Sequence, residues 1–282
     1  MTSLWKTYSG NENSDFSYSL EEPWGSYRPS ALQRLLIGLT QSTFLQRGKF
    51  RTWMSKLIMS ISSPLDVEFR MCKYRIEPRQ NLVDRGILTR PKYNATEIEF
   101  LQDVVRDGGV AVDIGSNVGL YSLPIAQAAG PSGQVLSIDA NPEMVAHLAF
   151  NAQASGLTNI TLQHLAVGDR ETRADLQIRK EDVAIVRVQE SDTGATEMRP
   201  LLSIVTYLGL KKIDALKIDI EGHEDSALVP FLQMAPEALL PNRIVIERAS
   251  KAYDYPGCVG EFERLGYRLI GRTRNNSMYE RA

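Results

Sequence analysis

One run governs what this chain can fold into: VAVDIGSNVGLY, from Val110 to Tyr121. It reads as a short apolar strand, a turn holding Gly115 and Gly119, and the start of a helix. The alternation continues downstream. Val135–Asp139, Ile160–Leu165, Ala215–Ile220 and Arg243–Glu247 have strand character. Helices are expected over Leu120–Ala129, over Pro142–Ala154 and from about Asp225. Apolar strands alternating with helices predict an α/β fold, doubly wound around a mostly parallel sheet covered on both faces. Residues 174–200 interrupt the rhythm. Ala174–Ile178 and Ala184–Val188 alternate like an inserted hairpin, with a loop through Pro200. Tyr267–Ile270 and Ser277–Tyr279 predict a closing antiparallel pair around Asn275 and Asn276.

Upstream, Thr96–Glu99 opens a helix with acids, capped by Asn94 or Thr96 and running to about Arg106. Residues 65–92, with Pro78, Gly86 and Pro91, read as a short hairpin or an irregular connector. Leu32, Leu35, Leu36 and Leu39 recur at helical spacing, as do Phe50, Trp53, Met54, Leu57, Ile58 and Ile61, so two helices divided near Gly48 are expected. Between Glu22 and Asp66 there is no acid, but Arg28, Arg34, Arg47, Lys49, Arg51 and Lys56 are present. Such a basic amphipathic stretch suits a membrane surface or an anionic substrate; the plainer reading is a lid or dimer element with a solvated basic face. Residues 1–30, rich in Ser, Asn, Tyr and Gly, are expected to be mobile or loosely draped.

Overall charge narrows the partners. Lys and Arg total 32 against 34 acids, which excludes a globally basic nucleic-acid binder. No run approaches the roughly 18 apolar residues of a membrane span, and Met1–Glu22 does not read as a secretory signal. Two cysteines, Cys72 and Cys258, make neither a disulfide framework nor a four-cysteine zinc site and fit a reducing, cytoplasmic setting.

The glycine turn points to a nucleotide at the carboxyl ends of the strands. A dinucleotide site uses G-x-G-x-x-G, with pyrophosphate on the helix N-terminus. Here the run is D-x-G-x-x-x-G, and Asp113 would repel a pyrophosphate but attract an ammonium. The expected ligand is therefore S-adenosylmethionine, with Gly115, Ser116, Asn117 and Gly119 shaping the turn. Asp139 ends the second strand, 20 residues beyond Gly119, where an acid meets ribose hydroxyls. Ala140 would follow along the nucleoside, and Ala166, after the third strand, would border the adenine.

Four segments carry a family resemblance: YNATE (Tyr93–Glu97), VDIGSNVGLYS (Val112–Ser122), DANP (Asp139–Pro142) with Asn151, and LKIDIEGHE (Leu216–Glu224). On them, residues 90–250 resemble the FkbM family of S-adenosylmethionine-dependent methyltransferases. The resemblance implies a Rossmann-like class I methyltransferase fold and methyl transfer to a hydroxyl of a sugar or natural-product scaffold. Asp139 stands where the family commonly has Glu, and Leu201–Leu208 replaces its usual Thr-Leu-Asp run. The expected division is an N-terminal, partly flexible and helical extension, 1–80, making lid, substrate or oligomer contacts, and a methyltransferase domain, 81–282.

Methyl transfer from a sulfonium needs an aligned acceptor and, for an alcohol, removal of a proton. Asp219, Glu221, His223 and Glu224 cluster after the fourth strand, and Glu247 ends the next one. His223 is the expected base, since imidazole ordinarily titrates near neutrality; a solvated helix-start residue is the alternative. Asp219 is expected to orient the methionine end or the acceptor. Glu97 would reach the methionine amino group, or serve only as a first-turn acid. Magnesium on Asp219, Glu221 and Glu247 is conceivable but not favoured. A homodimer is a further expectation. Two rival functions remain open at this point: an NAD(P)-dependent oxidoreductase and a non-catalytic, cofactor-binding partner protein.

Overall fold

The computed structural model describes residues 20–77, 81–179, 182–191 and 193–282. The expected looseness of residues 1–19 and the reading of their signal character lie outside the described residues. The described remainder of that stretch is not loose. Arg75 donates to the carbonyls of Glu22 and Pro23 at 2.7 and 2.9 Å, and Asp66 Oδ2 accepts from the amides of Gly25 and Tyr27. The correction has a plain cause: a fully buried Arg–Asp pair needs its remaining hydrogen bonds filled, and this segment supplies them.

Two helices follow, α1 (Ala31–Ser42) and α2 (Gly48–Ile61). Ser30 and Gln33 close a capping box on the first, and Gln33 also donates to the carbonyls of Ile58 and Ser62 on the second. The face turned inward is thus partly polar, while Leu32, Leu35, Trp53 and other large apolar side chains of the pair are exposed. The hairpin β1 (Leu65–Phe69) and β2 (Cys72–Ile76) comes next, one of the two forms expected for residues 65–92, then α3 (Leu82–Thr89), a helix that neither form included. Asn81 caps α3 by accepting from Val83 and Asp84. Gly86 lies mid-helix because a Cβ there would meet the Tyr93 ring at 2.1 Å.

The remaining elements are α4 (Ala95–Val105), β3 (Val110–Ile114), α5 (Ser122–Ala129), β4 (Gln134–Asp139), α6 (Pro142–Ala154), β5 (Ile160–His164) and β6 (Ala166–Gly168). They continue with β7 (Thr172–Arg179), β8 (Asp182–Glu190), β9 (Thr196–Pro200), α7 (Leu201–Tyr207), β10 (Ala215–Ile218) and α8 (Glu224–Met234). The chain closes with β11 (Arg243–Glu247), α9 (Pro256–Arg264), β12 (Tyr267–Arg272) and β13 (Asn276–Arg281). The main sheet has the order β12-β13-β11-β10-β3-β4-β5. Its five strands from β11 to β5 are parallel, and β13 alone runs against them. This is the expected doubly wound sheet. The inserted segment is larger than a hairpin: β7 and β8 pair as expected, but β9 replaces the expected loop and joins β7 to β6.

Strand periodicity distributes the core. Ala111, Val135, Ala215 and Val245 face the layer of α4, α5, α6 and the β1–β2 hairpin. Val112, Leu136, Leu216 and Ile244 face α7, α8 and α9. Residues of α2, the hairpin and α3 join the first of these cores, so part of the N-terminal extension packs in continuity with the sheet layer. The order reverses between β3 and β10, and in such sheets a crevice opens there beyond the carboxyl ends of the strands.

Candidate active site

That crevice is where the turns converge. Its walls are the turn after β3, the ends of β4 and β5, and the turn from Asp219 to His223 after β10. Gly115 has φ +74°, and a Cβ on it would lie 1.9 Å from the Asp219 carbonyl oxygen. No other residue lets the two turns approach so closely. Across from it, Asp139 accepts from the amides of Asn117 and Asn141, both at 2.8 Å. Burial raises the Asp139 carboxyl to about 6, although these two N–H bonds pull it down. Ile138, Leu165, Ala166 and Val167 add an apolar wall.

Gly115, Asn117, Asp139, Ala140, Ala166 and Asp219 therefore gather around one cleft. Asp113, Ser116, Gly119 and Glu97 are not among its wall residues. Asp113 is 1% exposed, accepts from Ser122 Oγ and sits beside Lys217 in register on the neighbouring strand. Burial raises its pKa, opposed by Lys217 and Ser122. Lys217 favours its charged form, and Asp113 Oδ1 is buried without a hydrogen-bond partner. Ser116 and Gly119 shape the turn through their backbones, which bond Ile138 and each other. Glu97 turns toward β13, accepting from Thr273 Oγ1 and, at 3.2 Å, from Asn276 Nδ2.

The acidic turn is held by residues that spacing alone did not reveal. Lys217 Nζ lies 3.2 Å from Asp219 Oδ2 and 5.1 Å over the Tyr121 ring. Burial would lower the lysine pKa, but Asp219 and Asp113 outweigh it and raise it. Glu247 hydrogen-bonds Asp219, and its pKa is pushed up to about 9 by burial and then by Asp219, Glu221 and Glu224. The raised pKa favours its protonated form, which is able to donate to the Asp219 carboxylate. Glu221 occupies the left-handed region at φ +56°, a strained conformation for this residue type, and Glu221 and His223 both line the cleft. His223 also opens α8. The only advance signal for Lys217 was its position two residues before Asp219 on a strand, which puts both on one face.

Asp219, Glu224 and Glu247 each bring an oxygen within 4.8 Å of the others. This differs from the expected trio, in which Glu221 stood for Glu224. The set does not fit a divalent metal. Glu224 already accepts from the amides of Ile220 and Gly222 with its two oxygens, and Asp219 is paired with Lys217.

A family model described as the methyltransferase FkbM domain matches residues 113–269. Among solved structures, similarity extends to M. jannaschii TYW2 in complex with AdoMet, at 14% identity over 78% of this chain and 88% of that one, with a TM-score of 0.43. An O-methyltransferase from Thermotoga maritima matches at 15% identity over 68% of this chain and 66% of that one, with a TM-score of 0.43. A putative methyltransferase from Streptococcus mutans in complex with SAH matches at 10% over 67% and 97%, with a TM-score of 0.43. At that distance the structures carry no argument about the chemistry of this cleft.

Proposed function

The chain belongs to the FkbM methyltransferase family, and on that premise we propose that it moves the methyl group of S-adenosylmethionine to a hydroxyl oxygen of a small acceptor, a sugar or natural-product scaffold. The carrying observation is the buried Asp139 at the end of β4, locked to the glycine turn and facing the Asp219–His223 turn across the cleft. When bound, S-adenosylmethionine supplies a methyl carbon on a cationic sulfur, open to in-line displacement by the acceptor oxygen. Asp139 has lone pairs left for the ribose hydroxyls. The apolar wall from Ile138 to Val167 suits an adenine. Asp219, fixed between Lys217 and Glu247, faces the methionine end.

His223 takes the proton that the acceptor oxygen loses as its new bond to carbon forms. Glu221 borders the acceptor side, and Glu247 holds Asp219 in place. We assign no step to a metal. The exposed apolar face of α1 and α2 is where a homodimer would meet. Buried free thiols at Cys72 and Cys258 support a cytoplasmic setting.

The base assignment is tested with labelled donor and an acceptor found by screening. His223→Ala is expected to reduce methyl transfer roughly 100-fold or more, as expected when general-base catalysis is removed. S-Adenosylhomocysteine affinity is expected to stay unchanged. Undiminished transfer by that variant contradicts the assignment.

A further inference from the structure

A second cavity, of about 440 Å³, opens between α2, the start of α4 and the β12–β13 loop. Its walls carry Arg51 of α2, Arg90 and Lys92 between α3 and α4, and Arg274 of the β12–β13 loop. The one carboxylate on its wall, Glu97, is already engaged by Thr273 and Asn276. Among the described residues none of the four cations has an acid within salt-bridge reach. Arg51 Nε is buried without a hydrogen-bond partner. Arg90, Arg85 and Arg274 act on Arg51 as like charges and, after burial, lower its pKa.

The fully buried Arg75 and Lys217 are neutralised by Asp66 and Asp219, whereas the half-buried Arg51 and Arg90, beside the exposed Lys92 and Arg274, have no such acid among the described residues. Cations gathered without an acid repel one another, and the arrangement is stabilised when an anion enters. The cavity lies close to the reacting end of the cleft. Asn94, on its wall, donates to the Tyr121 hydroxyl at 2.9 Å, and the Tyr121 ring lies under Lys217, which holds Asp219. On the other side the Asn275 carbonyl accepts from the amide of Arg248, next to Glu247. S-Adenosylmethionine carries one carboxylate and no phosphate, too little charge to balance four cations, so a further anion belongs to the acceptor.

We propose that the acceptor is a phosphate ester, its phosphate seated among Arg51, Arg90, Lys92 and Arg274 while its hydroxyl reaches the cleft. This rests on the methyltransferase reading above and narrows its substrate class. Arginine forks and a lysine point charge suit a tetrahedral dianion better than they suit a neutral sugar.

Calorimetric titrations of the full chain with inorganic phosphate, a hexose phosphate, the matching neutral hexose and a hexuronate test it, with and without S-adenosylhomocysteine. The expected result is one saturable site for phosphate and hexose phosphate, with the neutral hexose at least tenfold weaker. Lys92→Gln with Arg274→Gln, both at exposed positions, should weaken phosphate at least tenfold and change S-adenosylhomocysteine affinity less than twofold. Phosphate binding that is absent, or unchanged in the double variant, overturns the proposal, as does a hexuronate that binds more tightly than the hexose phosphate. Failure to bind S-adenosylhomocysteine strikes the donor reading alone, because the phosphate titration is read without it.

Discussion

At the scale of single residues the site depends on a few close approaches. Gly115→Ala would place a methyl group against the Asp219 carbonyl in a left-handed conformation. Overpacking of this kind is worth about 1–3 kcal/mol, and backbone strain adds roughly another 1 kcal/mol. Chemical denaturation is expected to show a loss of about 3 kcal/mol together with loss of S-adenosylhomocysteine binding. A variant of unaltered stability contradicts the close approach. Glu247 gives a prediction in pH. Its folded pKa, about 9, lies above the ordinary glutamate value of 4.5, so its contribution to stability is full below 4.5 and is lost as pH rises toward 9. Melting temperature should therefore fall from pH 5 to pH 9 more steeply in the natural protein than in Glu247→Gln; equal slopes count against a protonated Glu247. Asp113 shows the limit of reading residues from sequence. Its place in the run was legible, but its charged neighbour was not, because Lys217 lies 104 positions away and only the strand register brings them side by side.

Among elements, those with clean periodicity were legible. The strands β3, β4, β10 and β11 and the helix α6 lie within two residues of expectation. The helix α3 was hidden by Gly86, whose presence reflects the Tyr93 ring packed against it, a tertiary fact. β9 is five residues long, too short for alternation to stand out, although Thr196 and Met198 are buried on either side of an exposed Glu197. Neither sequence pattern nor charge foretold the clamp that ties residues 22–27 to the β1–β2 hairpin. There Arg75 lies 4.7 Å from the Tyr27 ring centre and 4.3 Å from that of Phe150, with Asp66 as its ion partner. Arg75→Met leaves Asp66 buried and uncompensated and is expected to destabilise by about 3–5 kcal/mol in denaturant unfolding. The double change Arg75→Met with Asp66→Leu should recover part of that loss. No recovery would place the stabilisation in the carbonyl contacts to Glu22 and Pro23 instead.

For the whole molecule, the alternation of strands and helices was sufficient to anticipate the sheet and the edge at which a ligand sits, since both follow from chain connectivity and strand twist. The cleft wall was legible where a residue acts at the end of its own strand, as Asp139 and Asp219 do. It was not legible where residues from distant segments meet, as Arg51, Arg90, Lys92 and Arg274 do around the second cavity. The exposed apolar face of α1 and α2 was visible as periodicity, but periodicity does not say whether such a face turns inward or outward. The central claim is that the cleft between β3 and β10 holds a methyl donor. Calorimetry with S-adenosylhomocysteine and with NADH tests it most directly, on the natural protein and on Asp139→Ala. The account predicts one saturable site for S-adenosylhomocysteine, at least tenfold weaker in the variant, and no binding of NADH; saturable NADH binding with no heat from S-adenosylhomocysteine would contradict it.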